Sequence, residues 1–255
     1  LRNMPVSRMT GFCLGADGFT WGRDYMDRID QTHPLYIRKM WYKMWLWGQL
    51  SYDINCEEEF FAGELERVYG TEGKRLSGVW KKASRIISIF HLVHWHDYDF
   101  QWYPEMCCSL EHPPVRKLEF ADINEFMACK SMPEGGCISV KEFAECLVEG
   151  QTVKAVTPLQ IAQIMKQYSE FVLKEVALLE KGCKMGCGLY RLLMDMRALA
   201  YLGTYYSDKL KAAVHLCVWR IDPERYQEKK TAVGLLRDCA GHWKMYSSFI
   251  KQYYK

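Results

Sequence analysis

The sequence has no run of eighteen apolar residues, and its longest apolar stretch, near residues 86–93, is interrupted by Ser88 and His91. A transmembrane helix needs about 20 mostly apolar residues, so we expect no membrane partner. An excess of one charge sign is also lacking, because 34 basic residues stand against 31 acidic ones and the formal net charge is only +3. Nucleic-acid binders concentrate Lys and Arg on one face, so we expect no nucleic-acid partner.

Several enzyme motifs are missing as well. The sequence has no GxxxxGK[ST] loop, no GxGxxG fingerprint and no GxSxG elbow, which leaves nucleotide binding, dinucleotide binding and a serine-hydrolase triad unsupported. It also has no HExxH motif and no matched CxxC pairs. We therefore expect no cofactor and no metal. An alternative metal site would use His91, His94, His96, Asp97 and Asp99, since transition metals favour imidazole with carboxylate.

The eleven cysteines are odd in number and scattered along the chain. A chain of 255 residues buries enough core to fold without disulfide staples, so most of these thiols are interpreted as small buried hydrophobes. Cys183 and Cys187 could form half of a zinc site, but a second pair at matching spacing is absent apart from the adjacent Cys107 and Cys108. We interpret them as two loop thiols, and their disulfide state stays open.

Helical periodicity dominates from about residue 35 onward. Trp41 and Trp45 lie on one apolar stripe. Capping-box patterns mark helix starts at Asn55 and Ser139, and a Thr-Pro pair marks another at residue 157. We predict a mostly α fold, an antiparallel helical bundle or array, because the connections between the last three helices are short. The predicted helices cover residues 35–48, 55–69, 72–93, 122–130, 139–149, 158–181, 189–219 and 222 onward.

The first thirty residues do not follow this helical pattern. A short apolar segment leads into a Gly-rich loop near Gly15 and Gly18, which predicts a strand and a loop. One strand makes no sheet, so residues 1–30 are predicted to be an extended arm, or the edge of a (β/α) barrel whose other strands lie upstream. Residues 31–255 would form the helical domain, divided into Trp-rich helices with a polar loop over 31–117 and a bundle over 118–255.

The polar loop carries the most suggestive cluster of side chains. Its segment 94–105 mixes aromatic rings with imidazoles and carboxylates. Rings stack on the C–H face of a sugar while His and carboxylates hydrogen-bond its hydroxyls. A second cluster at 17–24 adds Arg23, whose guanidinium can form two parallel hydrogen bonds with the carboxylate of a uronic acid. For the 94–105 segment, the alternative is a polar loop whose side chains only hydrogen-bond neighbouring helices. For residues 17–24, the alternative is a simple Asp-Gly turn. The predicted sugar contacts are Asp17, Trp21, Arg23, His94, His96, Asp97, Asp99 and Trp102.

Two runs of sequence carry a family resemblance. GADGFTWGRD over residues 15–24 and WYKMWLWGQLSYD over residues 41–53 resemble the junction between a catalytic barrel and its C-terminal helical domain in bacterial glycoside hydrolases of the α-glucuronidase-like kind. Gln49 and Ile54 occupy the positions at which the corresponding motif of that family has Arg and Pro. The later runs over residues 157–162 and 196–213 resemble helical tails of large carbohydrate-active enzymes from polymer-degrading bacteria.

The resemblance implies a function. The chain would be the C-terminal accessory part of a glycoside hydrolase, bracing an upstream catalytic domain and contributing contacts to a carbohydrate, with an acidic sugar as one option. The first residue is Leu1 rather than Met, and we expect a piece of a longer protein. The family implies a periplasmic or extracellular location, and a homo-oligomer is a further option. The alternatives are a non-catalytic protein-interaction scaffold and a self-contained hydrolase that uses the 94–105 loop.

Overall fold

The structure, a computed structural model, describes residues 40–95, 122–185 and 187–253. In these ranges the protein is a helical array, which confirms the predicted mostly α fold, and β-structure is confined to two isolated bridges. Its elements in chain order are α1 (Trp41–Tyr52), α2 (Glu58–Tyr69), a 3-10 turn (Gly70–Glu72), α3 (Gly73–Ala83), α4 (Arg85–His91), α5 (Ile123–Ala128), α6 (Val140–Glu149), α7 (Pro158–Glu180), α8 (Gly188–Ile221) and α9 (Tyr226–Tyr253).

The described residues divide into two compact units. Unit 1 comprises residues 40–80, 175–196 and 248–253, and unit 2 comprises residues 81–95, 122–174 and 197–247. Each unit is therefore assembled from segments that are distant in sequence. The predicted arm over residues 1–30 and the predicted boundary near residue 117 lie outside the described residues, so the predicted domain limits stay predictions. Over the part of the chain that the structure describes, no helix is both long and apolar enough to cross a membrane.

Local sequence signals set several helix ends. Ser139 Oγ accepts a hydrogen bond from the Glu142 N–H at 3.2 Å, and the Glu142 carboxylate accepts one from the Ser139 N–H at 3.1 Å, so the predicted capping box begins α6. Thr157 and Gln160 make the equivalent pair of bonds before α7. Gly70, with φ 72°, ends α2 as predicted, because glycine adopts positive φ at little cost.

Two of the predicted helix features are wrong. Asn55 makes no capping box with Glu58; its N–H donates to Asp53 Oδ1 at 2.8 Å in a local turn, and α2 begins after Glu57 without a side-chain cap. The single helix predicted over 72–93 is two helices, α3 and α4, that meet at Ser84. The Ser84 hydroxyl donates to the Lys81 carbonyl at 3.4 Å.

In unit 2, the long helices pack in antiparallel pairs. Between α8 and α9, the ring of Tyr205 lies against that of Trp243 with centroids 5.1 Å apart, and His215 bonds Glu228. Residue numbers therefore increase along α8 as they decrease along the adjacent part of α9, so the two helices are antiparallel. From α7 to α8, Ser207 Oγ donates to the Ala162 carbonyl at 2.8 Å, and Gly203 lies beside Ser169, so these two helices also run in opposite directions. This packing buries an apolar core that draws on α4 to α9, including Phe90, Val93, Phe126, Val140, Ile161, Met165, Tyr206, Leu210 and Cys239.

In unit 1, an aromatic cluster joins α1, α2 and α3. The ring of Tyr42, which is 4% exposed, lies 4.6 Å from Trp80 and 5.9 Å from Trp45. Its hydroxyl donates to the Phe61 carbonyl at 3.3 Å, and burial raises the pKa of Tyr42 to about 12. Tyr42 is thus the buried centre of this cluster, with Trp45 and Trp80 half-buried around it.

Candidate functional site

Of the eight predicted sugar contacts, the structure describes one, His94. The other seven lie outside the described residues, and their grouping stays a prediction: Asp17, Trp21, Arg23, His96, Asp97, Asp99 and Trp102. The site is therefore built from the described residues on either side of the segment 96–121, which are Trp95 and Asp122.

His94 lies just beyond the end of α4 and is only 1% exposed. Its ring stacks on Phe90 at 5.1 Å between centroids and lies 4.6 Å from the ring of Phe126. Its carbonyl oxygen is 3.3 Å from Nδ1 of His91. The imidazole thus faces the apolar core of unit 2, and its packing fixes the backbone where the candidate segment begins.

A buried lysine shares this aromatic environment. Lys209, on α8, is 7% exposed, and its Nζ lies 4.0 Å from the ring centroid of Phe126 and 5.5 Å from that of Tyr205. A desolvated ammonium over an aromatic face gains about 2 kcal/mol or more. Phe90 also stacks on Tyr206 at 4.7 Å. We call Phe90, His94, Phe126, Tyr206 and Lys209 the Phe126 cluster.

Backbone hydrogen bonds hold the chain just before the segment 96–121. The Trp95 N–H donates to the Lys130 carbonyl at 3.0 Å, and the Met132 N–H donates to the Leu92 carbonyl at 3.0 Å. These bonds tie the chain after α4 to the chain after α5. A loop that leaves a fixed backbone can present its side chains reproducibly.

The residue that follows the segment is also held in unit 2. Asp122 Oδ1 accepts a hydrogen bond from the Asn124 N–H at 2.7 Å at the start of α5. Asn124 Oδ1 in turn accepts one from Arg220 on α8 at 2.7 Å. Both described flanks of residues 96–121 therefore belong to the same unit.

Lys209 was not among the residues predicted from the sequence, although a signal was present. Lys209 follows Tyr205 by four residues and precedes Ala213 by four, so it occupies the inward stripe of α8. A lysine on an apolar stripe is a buried charge that needs a specific environment. The rings of Phe126 and Tyr205 supply part of that environment, and one of them lies 83 positions away along the chain.

Polar pairs also join α8 to α9. Asp208 on α8 accepts a hydrogen bond from His242 on α9 at 3.2 Å, and it accepts a second from Lys211 of its own helix at 3.0 Å. Farther along, His215 bonds Glu228. No nucleophilic hydroxyl or thiol contacts these pairs in the hydrogen bonds described, so we interpret them as links that set the register of the two helices.

The described residues contain no group of three or more His, Cys, Asp and Glu side chains that could hold a metal ion. The alternative metal site named from the sequence has His91 and His94 in this part of the chain, while His96, Asp97 and Asp99 lie outside it. That alternative therefore stays a prediction.

No protein-family model matches the chain, and no curated protein matches its sequence. The described residues define a mostly α helical array, and this array is similar to part of a solved glycoside hydrolase. That structure is a GH138 enzyme targeting pectin rhamnogalacturonan II, with a TM-score of 0.68 and 16% sequence identity. The similarity covers 92% of this chain and 28% of the other, so the chain spans little more than a quarter of that protein's length.

An identity of 16% shows a shared fold and nothing finer. The expected likeness to glycoside hydrolases is confirmed at the level of the fold. The assignment to the α-glucuronidase-like kind stays a prediction.

Proposed function

We propose that this chain is an accessory helical part of a carbohydrate-active enzyme, a glycoside hydrolase in which a separate domain carries out catalysis. The observation that carries the proposal is the structural similarity over 92% of this chain to 28% of a GH138 enzyme. In this proposal the chain forms a C-terminal domain of a bacterial enzyme, braces the catalytic domain and adds contacts to the bound sugar.

The proposed sugar contacts divide by chemistry. Trp21 and Trp102 stack on the C–H faces of sugar rings, and Asp17, His96, Asp97 and Asp99 hydrogen-bond hydroxyls. Arg23 pairs with the carboxylate of an acidic sugar through its bidentate fork. The buried ring of His94 holds the start of the 94–105 segment in place. The hydrogen bonds that hold Trp95 and Asp122 support the part of this proposal that uses the 94–105 segment, because precise binding needs side chains on a fixed scaffold.

The test is sugar binding by the full-length protein. We expect Trp102→Ala and Arg23→Ala each to weaken binding of glucuronic acid by about tenfold or more, which is about 1.4 kcal/mol. Arg237→Ala, at an exposed position of α9, is the matched control and should bind as the parent does. Isothermal titration measures the affinity, and circular dichroism melting checks that each variant folds. Unchanged affinity in both variants would contradict the proposal.

The 255-residue chain on its own separates the two alternatives. A self-contained hydrolase would turn over an aryl glycoside with this 255-residue chain alone, and Asp97→Asn or Glu105→Gln would abolish that turnover. A protein-interaction scaffold would show a stable complex and no change of Trp fluorescence on addition of sugar. Under the accessory function, the chain alone shows sugar-dependent fluorescence without turnover.

A further inference from the structure

Two thiols in unit 1 lie almost in contact. Cys183 follows the end of α7 and Cys187 directly precedes α8, and their sulfur atoms are 3.1 Å apart. Both side chains are half-buried. The S–S distance in a disulfide is about 2.05 Å, so the two sulfurs need to approach by only about 1 Å to bond. The interpretation of these residues as unrelated loop thiols overlooked this contact.

The two thiols have different surroundings. The Tyr190 N–H, in the first turn of the 34-residue helix α8, donates to Cys187 Sγ at 3.4 Å. Burial acts to raise the pKa of Cys187, but hydrogen bonds from Cys183 and from the N–H groups of Tyr190 and Leu189, with the charge of Arg191, bring that pKa below its usual value. Burial and then the bond to Cys187 raise the pKa of Cys183. Cys187 is thus the nucleophilic member, as expected of a thiol at a helix N-terminus.

We propose that Cys183 and Cys187 form a redox-active dithiol that a small disulfide, such as oxidised glutathione, converts into an intramolecular disulfide. The Cys187 thiolate attacks one sulfur of the oxidant, forms a mixed disulfide and releases one glutathione thiolate. Cys183 then loses its proton, its sulfur attacks Cys187 Sγ, and the second glutathione leaves. Two protein thiols are oxidised, and one glutathione disulfide is reduced to two glutathiones.

The bond would link the end of α7 to the first turn of α8 within unit 1. Because Cys187 supplies the atom that accepts the Tyr190 N–H, oxidation changes the cap of the longest helix described. This modification site is independent of sugar binding, so it stands or fails separately from the proposed function.

Trypsin offers a direct assay, because Lys184 lies between the two cysteines. Folded protein is treated with oxidised glutathione, remaining thiols are blocked with N-ethylmaleimide, and the digest is analysed by mass spectrometry without reductant. We expect peptide 182–184 joined to peptide 185–191, with the mass of the two combined less two hydrogen atoms. Recovery of the two peptides separately, whether blocked or each carrying glutathione, would overturn the proposal.

Variants test the order of events. We expect Cys183→Ser to leave one glutathione on Cys187, and Cys187→Ser to slow glutathione addition to Cys183 by about tenfold or more. Cys146→Ser, at a half-buried thiol of α6, is the matched control and should leave the cross-link unchanged. Equal rates of glutathione addition in the first two variants would contradict the role of Cys187.

A comparison of folded and urea-unfolded protein tests whether the folded structure, rather than the short spacing along the chain, brings the two thiols together. In the folded protein the sulfurs are held together, so we expect the cross-link to form about tenfold faster than in urea-unfolded chain at the same pH. Equal rates in the two conditions would show that spacing along the chain alone brings the thiols together, and the proposal would fail.

Discussion

At the scale of single residues, Gly203 shows how closely helices approach in unit 2. A Cβ at this position of α8 would collide with Ser169 Oγ and lie 2.8 Å from Cγ2 of Ile86. Overpacking a filled core costs about 1–3 kcal/mol. We expect Gly203→Ala to lower the free energy of unfolding by that amount, measured by urea denaturation.

Gly234 provides the matched control for this substitution. It lies within α9, and a Cβ there would meet nothing within 4 Å. Gly in a helix costs about 0.5–1 kcal/mol relative to Ala, so Gly234→Ala should raise stability. If both substitutions changed stability in the same direction, the close approach at Gly203 would not be a constraint on the sequence.

Lys209 shows why residue identity alone could not reveal the Phe126 cluster. Its spacing from Tyr205 and Ala213 places it on the inward stripe of α8, which the sequence does indicate. The sequence does not indicate which ring covers the ammonium, because Phe126 comes from a different helix, α5. The ring that covers the ammonium is determined by how α5 packs against α8, and that packing depends on the whole of unit 2.

At the scale of elements, the hydroxyl of Ser139 stabilises the start of α6. Ser139 caps the helix, and its hydroxyl and N–H both hydrogen-bond the Glu142 carboxylate. Replacing a capping Ser by Ala costs about 1 kcal/mol, so we expect Ser139→Ala to lower the free energy of unfolding by that much at pH 7. Ser84→Ala removes only a 3.4 Å bond at an exposed position and should change it by less than about 0.5 kcal/mol.

This cap also has a pH dependence with a definite sign. The hydrogen bonds from Ser139 lower the pKa of Glu142 below its unfolded value, with burial acting weakly in the opposite direction. A lowered pKa gives stability that is present above the unfolded value of about 4.3 and is lost as pH falls through the folded pKa. The difference between parent and Ser139→Ala should therefore narrow from pH 7 to pH 3 in urea titrations. A constant difference would contradict the carboxylate's part in the cap.

The element boundaries show what sequence can predict and what it cannot. The start of α6 at Ser139 and the end of α2 at Gly70 were predictable, because each depends on a few neighbouring residues. The missing box at Asn55 was not, because the Asn55 N–H bonds the neighbouring Asp53 side chain in a local turn. The break between α3 and α4 at Ser84 was not predicted either.

At the scale of the whole molecule, periodicity predicted the mostly α class, but not which segments form each unit. In unit 1 the Arg75 guanidinium on α3 bonds the Glu175 carboxylate on α7, 100 positions away. No pattern in either helix marks the other as its partner. The candidate sugar segment is similar in this respect: its composition suggested binding, whereas its attachment to unit 2 at Trp95 and Asp122 emerged only from the structure.

The core of unit 2 includes Phe126, which is only 1% exposed. Its ring contacts Phe90, His94 and Lys209. Truncating a buried Phe costs about 3–5 kcal/mol, and here it also uncovers one face of a buried ammonium. We expect Phe126→Ala to lower the free energy of unfolding by at least that range, measured by urea denaturation.

Phe171 on α7 is the matched control, because its ring is 36% exposed and its described contact is with Lys82, 4.9 Å from the centroid. An exposed cation–π pair contributes about 0.5–1 kcal/mol, so Phe171→Ala should cost about 1 kcal/mol. Both variants remove the same side chain from the same unit, so the difference between their losses measures what the full burial and the contacts of Phe126 add over a partly exposed ring. Equal losses would contradict the expectation that unit 2 depends more on Phe126 than on Phe171.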